Sequence, residues 1–401
     1  MSNLVWLVGG GILQLPMARE IKQRGYDLLV TDGNFDAPCK NLADVFIQLS
    51  TYNVTGHLDL LDDVTEVPVA VLTDAADIGP TVSALTEFLG LPGIPYQVAI
   101  NVRDKSIMRK SLGMTHPVYV TIAPELYPCD AWWWWERAAQ RQEVKSYPCV
   151  VKSVDNCASR GMTFVRNPDD LVEALYYARQ NNKQALDIVI EEFLAGPEFA
   201  TDWLVVNGKA RFVNGAVRVF DKHKLGLELG HTNPWLPPDE VLELIQAAVE
   251  KLRVTSGPFK ADLMLDEQHG WMILETATRW SGGFDHSFTA RLATGRNLEK
   301  VLLDYALGLP LDEVDLLPKW QAYGAAYAPI FDAGRIDGFI GIEKALQSSG
   351  VSDVIVLNAK QIEPIKHCAQ RPVFVIAQGA SADIAWRLAV EAAWKLLPRY
   401  T

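Results

Sequence analysis

Two lysines, a pair of carboxylates and an arginine are the residues of this chain whose types and spacing could do chemistry. Lys152 closes an apolar run that starts at Tyr147, and a polar loop of small residues, 153–161, follows it. With the returning run Met162 to Val165 this makes a hairpin able to fold over a ligand. Its free backbone amides suit phosphate oxygens, and Lys152 adds a point charge. Taken alone, Lys152 is the half-exposed lysine of an ordinary strand end. Further on, Lys260 to Asp266 and Trp271 to Glu275 flank the turn Glu267-Gln-His-Gly270. The hairpin sets Asp262 on one strand against Glu275 on the other. Facing carboxylates repel, and a divalent cation between them removes that cost, with hard oxygen ligands suiting Mg²⁺. Two solvated edge carboxylates are the plain alternative. Repulsion also predicts that Glu275→Gln leaves the apo fold unchanged or more stable. Arg279 lies four residues on, before Trp280-Ser281-Gly282-Gly283, where glycines let backbone approach a ligand closely.

The elements that must position these groups read as α/β throughout. Leu4 to Val8 is a strand ending in Gly9-Gly10-Gly11, Ile12 to Gly25 a helix, and Tyr26 to Thr31 a second strand closed by Asp32. That is one βαβ unit. Gly9, Gly11 and Asp32 fit a dinucleotide fingerprint, but Gln14 takes its third glycine position, so a turn without ligand outweighs NAD binding. Val67 to Thr73 and Ile78 to Leu89 add a strand and a helix before the turn-rich Leu91-Pro-Gly-Ile-Pro95. Another helix starts at Asp104-Lys105. Asp187 to Leu194 is an apolar strand ending in two acids and an aromatic, and Asn207-Gly208 between apolar runs is a hairpin turn.

The chain has 401 residues, long enough for two or three domains. Its 37 basic and 49 acidic residues give a net charge of −12, which excludes a general nucleic-acid binder held by phosphate contacts. No apolar run is long enough for a membrane span, and the start lacks the marks of a signal peptide. Five scattered cysteines without a CxxC pair fit reduced thiols and a cytoplasmic location. The run Trp132-Trp133-Trp134-Trp135 reads as a helix apolar all round at its start. It predicts burial in a core or at a subunit contact, and so allows a homodimer; a substrate-facing wall is the sharper reading.

In order and spacing, Asp104-Lys105…Arg109, Tyr147…Lys152…Ser159-Arg160-Gly161, Glu191-Glu-Phe-Leu…Gly196-Pro-Glu198 and Asp262…Glu275…Arg279…Gly282-Gly283 resemble the ATP-grasp superfamily. The likeness is to its carboxylate–amine ligase branch, with the L-amino acid ligases and carbamoyl-phosphate-synthase-like proteins. It implies an ATP-grasp fold in three parts: a Rossmann-like pre-ATP-grasp domain over 1–103, the ATP-grasp domain with the nucleotide and Mg²⁺ site over 104–310, and a small C-terminal α/β domain completing it over 311–401. It implies an ADP-forming ligase that makes an amide or peptide bond through an acyl phosphate, with ATP, a small carboxylate and an amine as partners and an amino acid among them. No nucleic acid or membrane is implied.

The same resemblance implies roles. Lys105 and Lys152 hold the α- and β-phosphates, and the loop from Asn156 through Ser159, Arg160 and Gly161 closes over them. Glu191 accepts from the adenine amino group, with the Glu192 carbonyl and Leu194 amide beside it, and Glu198 holds the ribose hydroxyls. Asp262 and Glu275 bind Mg²⁺, for which Mn²⁺ can substitute, and Arg279 stabilises the transferred phosphoryl group. His231, read as lying in a loop between two strands, sits near the carboxylate or phosphoryl group. Asp202, Trp280, Ser281, Gly282, Gly283 and His286 are expected on the substrate side, with Trp235, Phe284, Asp285 and Glu228 as further candidates. One departure matters. The family pattern is Glu-x-Asn-x-Arg, and here Ala277 stands for the asparagine that helps bind a second metal. That keeps alive a catalytically lapsed nucleotide-binding protein, beside an ATP-grasp carboxylase using bicarbonate.

Overall fold

The computed structural model describes residues 2–401 except 65, 115–116, 124–127, 143, 184–186, 223, 225 and 312–320. A four-stranded parallel sheet opens the chain, in the order β3 (Val45–Gln48), β2 (Asp27–Asp32), β1 (Leu4–Val8), β4 (Ala70–Leu72). Each residue of β1 is buried, as expected of a strand covered on both faces. The expected first helix is split into a short 3₁₀ turn, Ile12–Gln14, and the helix Leu15–Gln23. Pro16 explains the split: it suits the first turn of a helix but cannot donate within one. The Gly10 amide donates to Asp32 Oδ2 at 2.7 Å, and the Gln14 side chain turns inward to the Asp74 carbonyl.

A second, antiparallel sheet runs β5 (Tyr119–Ile122), β8 (Ile188–Glu192), β6 (Cys149–Ser153), β7 (Met162–Val165). The third has eight strands: β13 (Gly270–Ala277), β12 (Gly257–Asp266), β9 (Glu198–Val206), β10 (Lys209–Phe220), β11 (Glu228–Asn233), β14 (Tyr323–Tyr327), β18 (Val373–Gly379) and β16 (Val351–Val356). Strands from beyond residue 320 thus extend the sheet that starts at Glu198, because β14 pairs with β11. The remaining three, β17 (Gln361–Ile362), β15 (Gly334–Ile340) and β19 (Leu397–Tyr400), form a small sheet of their own.

The tryptophan run departs from expectation. It lies on the helix Pro128–Arg141, but only Trp135 is buried, its indole N–H donating to the Ser146 carbonyl at 2.6 Å. Trp132, Trp133 and Trp134 are 45%, 46% and 44% exposed. Helical spacing gives the reason: Ala131, Trp135 and Ala139 share the buried face, and three consecutive residues cannot join them there. Among the described residues no helix is long and apolar enough to cross a membrane.

Candidate functional site

A cleft of about 430 Å³ opens between the two antiparallel sheets and receives Ile12, Leu13 and Ala75 from the first hundred residues. Lys105 begins the helix Lys105–Leu112. Asp104 caps that helix, accepting from the amides of Ser106 and Ile107 at 2.9 and 3.1 Å, which fixes where Lys105 points. The Lys105 ammonium donates to the Asn156 carbonyl at 2.7 Å and lies 3.1 Å from Glu275 Oε1. One lysine therefore ties the 153–161 loop to the carboxylate hairpin.

That hairpin forms in the expected register, with Asp262 directly opposite Glu275 across β12 and β13. Asp262 Oδ2 takes Lys260 at 2.5 Å and Arg218 at 3.5 Å, whereas Oδ1 is buried with no donor among the described residues. Burial opposes ionisation of both acids. Lys260 and then Arg218 nevertheless hold Asp262 below its ordinary range, and Lys105 does the same for Glu275 against Asp262. Two facing, ionised carboxylates with an unbonded buried oxygen are a donor set that fits Mg²⁺. Ala277 is buried at the end of β13 and supplies no oxygen from its side chain.

The loop between β6 and β7 folds down onto the cleft. Ala158, Ser159 and Gly161 have φ of +57°, +60° and +71°. Ser159 Oγ donates to the Gly226 carbonyl at 3.2 Å, and the Cys368 amide donates to the Ala158 carbonyl at 3.2 Å. Ser159 and Arg160 line the cleft; Gly161 does not, and works by its backbone. A Cβ on Gly161 would stand 2.7 Å from Ser153 Oγ and 2.8 Å from Asn181 Cβ. Gly161→Ala is therefore expected to cost about 1–3 kcal/mol of stability and to weaken nucleotide binding, read by thermal unfolding and ADP titration.

On the wall formed by β8, the sequence expectation for Glu191 meets a carboxylate already engaged. Glu191 Oε1 accepts from Arg109 Nε at 2.7 Å and Oε2 from Lys152 Nζ at 2.6 Å. Against burial, Arg109 and then Lys152 hold it at about 2. Glu191, which also lines the cleft, is thus a counter-ion that aims Lys152. Arg109 completes the brace by donating to the carbonyls of Ile273 and Leu274 on β13, at 2.5 and 2.8 Å. Glu192 Oε2 accepts from the Val118 amide at 3.0 Å. Glu192, Leu194 and Glu198 all line the cleft.

Arg279 is buried at the cleft. Its Nη1 donates to the Trp280 carbonyl at 3.1 Å, and its Nε has no acceptor among the described residues. His231 lies within β11, paired with Arg218 on one side and Ala326 on the other, and not in a loop. The residues Glu228–Asn233 continue the sheet, so the polar side chains that suggested a loop project from a strand. His231 Nε2 is 2.9 Å from Thr289 Oγ1, and the ring lines the cleft with Ser281, Gly282 and Gly283.

Asp202, Trp280 and His286 do not line it. Asp202 is fully buried, accepting from the Ser281 amide and hydroxyl at 2.7 and 2.8 Å, so it holds the Ser281 loop from behind. Trp280 is fully buried and donates to the Trp203 carbonyl. His286 is buried against Asp74, 2.7 Å away. Trp235 packs among Phe199 and Trp271. Sequence reasoning missed three cations: Arg218, Lys260 and Arg371 also line the cleft. Glu228, a further substrate-side candidate, takes Arg218 at 2.6 Å. Lys260 stands two residues before Asp262 on one strand face, a signal the period of two could have given. Arg371 carried none.

Residues 145–286 match the family model described as ATP-grasp domain. A D-alanine–D-alanine ligase of Alcanivorax borkumensis is 28% identical over 180 residues, 41% of this chain and 57% of that protein. A solved L-amino acid ligase from Bacillus licheniformis superposes with a TM-score of 0.79 at 20% identity, over 100% of this chain and 99% of its own. The biotin carboxylase domain of a Hydrogenobacter thermophilus 2-oxoglutarate carboxylase, solved with MgADP and bicarbonate, gives 0.72 at 16% identity, over 99% and 91%. The chain spans about half the length of the curated relatives it matches first. The match to an ATP-grasp domain is confined to residues 145–286, and the whole chain shares the fold of these solved structures.

Proposed function

We propose that this ATP-grasp chain is an ADP-forming carboxylate–amine ligase of the cytoplasm, with an amino acid as one substrate. The observation that carries the reading is the convergence of Lys105, Lys152, the facing pair Asp262 and Glu275, and Arg279 on one cleft. Phosphoryl transfer needs positioning and charge neutralisation more than covalent chemistry, and these are the groups for it. Lys105 and Lys152 would hold the α- and β-phosphates under the 156–161 loop. Asp262 and Glu275 would hold Mg²⁺, which when bound neutralises phosphate charge. Arg279 would steady the transferred phosphoryl group on the substrate carboxylate, and His231 lies on the same wall. The amine then displaces phosphate, leaving an amide. Domain limits at 103 and 310 belong to the same proposal: residue 104 caps a helix between two others, and the second limit adjoins residues 312–320, outside the described set.

An ADP-release screen over paired acids and amines, with single omissions, tests the reading. Turnover should need both substrates. Turnover that needs only water would remove the amide-forming step. Bicarbonate-dependent ATPase activity without an amine would favour a carboxylase, a reading supported by the likeness to the bicarbonate-bound structure.

Glu198 adds a pH dependence. Burial, helped by Asp262 and Glu228 against Arg218, raises its carboxyl to about 7. The folded chain therefore keeps a proton that the unfolded chain loses near 4.5, and stability falls as pH rises through that window. A carboxylate that accepts the ribose hydroxyls must be ionised. ADP affinity is thus expected to rise about tenfold from pH 6 to pH 8, and Glu198→Gln to flatten the profile in the same titration.

A further inference from the structure

Behind the Ser281 loop, outside the cleft, three side chains from distant parts of the chain meet. Asp74 follows β4 of the first sheet, His286 sits in the turn Asp285–Thr289, and Glu299 lies in the first turn of the helix Leu298–Ala306. They are 0%, 2% and 2% exposed, and one ligand-type atom of each lies within 4.8 Å of the others. Neither Asp74 nor Glu299 has a lysine or arginine partner among the described residues. Both oxygens of Glu299 are buried without a hydrogen bond; the Ser287 hydroxyl approaches, but without the geometry of one.

The tautomer of His286 is fixed by what its other nitrogen touches. Nδ1 lies 2.6 Å from the Ser281 carbonyl, which can only accept, so Nδ1 carries a proton. Nε2 is thereby left to Asp74 Oδ1, 2.7 Å away, and to the Ser287 hydroxyl, 3.0 Å away, which would turn aside when the lone pair takes an ion. A second proton on Nε2 would pair the ring with Asp74 and leave Glu299 as an unbalanced buried acid. A protonated Glu299 would need an acceptor for its O–H, and neither oxygen has a partner. A divalent cation settles all three groups at once. It pairs with both carboxylates and takes the Nε2 lone pair, while the Nδ1–H bond to a carbonyl is the usual outer support of a ligating histidine.

We infer that Asp74, His286 and Glu299 form a second, structural metal site, distinct from the Asp262–Glu275 pair, for a divalent cation that accepts one imidazole and two carboxylates, of which Zn²⁺ is the type. The site would clip the first sheet to the wall that carries Ser281. Two ligands of one tetrahedral ion stand about 3.3 Å apart, so binding draws Asp74 back from Nε2 by roughly half an ångström or uses its other oxygen.

The test takes the full chain, stripped with EDTA, loaded with Zn²⁺ without nucleotide, passed through gel filtration and assayed for metal. One Zn²⁺ per chain should remain in the parent and in Glu275→Gln, and should be lost from Glu299→Gln and His286→Gln. Because His286→Gln can fail to fold, a long-range ¹⁵N–¹H spectrum of the parent gives a second reading: Zn²⁺ should leave His286 with one N–H, at Nδ1, and shift Nε2. No retained Zn²⁺ in the parent, retention in both Glu299→Gln and His286→Gln, or loss in Glu275→Gln alone would each overturn the site. The last result would place the ion in the cleft. None of these readings depends on the proposed activity.

Discussion

Glu275→Gln is expected to lower turnover about 1,000-fold while the chain stays folded, since a metal-held phosphate charge is worth several kcal/mol in the transition state. The sequence alone predicts no loss of stability, because two facing carboxylates should repel. The structure changes that sign. Glu275 is paired with Lys105 at 3.1 Å, and Lys105 outweighs Asp262, so the carboxyl sits below its ordinary range. A depressed carboxyl contributes stability above the unfolded pKa and loses it as pH falls. Removing the charge should therefore cost about 1 kcal/mol near pH 7, roughly 1 °C in melting temperature for a chain of this size. Calorimetry separates the two effects: a stable variant with unchanged turnover would leave the hairpin purely structural.

Arg279→Lys is expected to lower kcat about 100- to 1,000-fold with little change in the affinity for ADP. Arg279 is anchored through Nη1 to the Trp280 carbonyl, while its buried Nε has no acceptor among the described residues. A planar fork fixed at one corner presents its other donors in a set direction. An ammonium keeps the charge but offers neither the anchor nor the paired geometry. Single-turnover measurements with nucleotide in excess isolate the step. Equal loss of ADP affinity and kcat would move Arg279 from phosphoryl transfer to simple nucleotide binding.

The parts of the site written on single hairpins were legible in the sequence. Asp262 and Glu275 fall opposite each other because the Glu267–Gly270 turn fixes their register, and register is local. The β6–β7 loop was readable for the same reason, as a strand, a small-residue segment and a returning strand. What was not legible depends on elements meeting across sheets. Glu191 looks like a free acid at a strand end until the helix Lys105–Leu112 brings Arg109 against it. Arg218 looks like a strand arginine until Glu198, Glu228 and Asp262 surround it. Asp202 and His286 have the right residue types and lie near Ser281, but they face away from the cleft. Sequence distance from a motif does not tell a residue in the cavity from one supporting it behind. The tryptophans failed differently: composition suggested burial, and helical geometry allowed only Trp135 to have it.

The fold likewise divides by how local its causes are. The βαβ start follows from strand, glycine turn and helix in succession. The joining of β14, β18 and β16 to the large sheet depends on pairing of β11 with β14, about ninety residues apart, which no local pattern announces.

In the proposed reaction a substrate carboxylate is phosphorylated before the amine attacks. This step is tested most directly by an acid carrying ¹⁸O in its carboxylate, turned over with its amine and ATP, with the products read by mass spectrometry. The expected products are ADP and inorganic phosphate carrying one ¹⁸O from the acid, in equal amount to the amide. Unlabelled phosphate, or AMP with pyrophosphate, would contradict it.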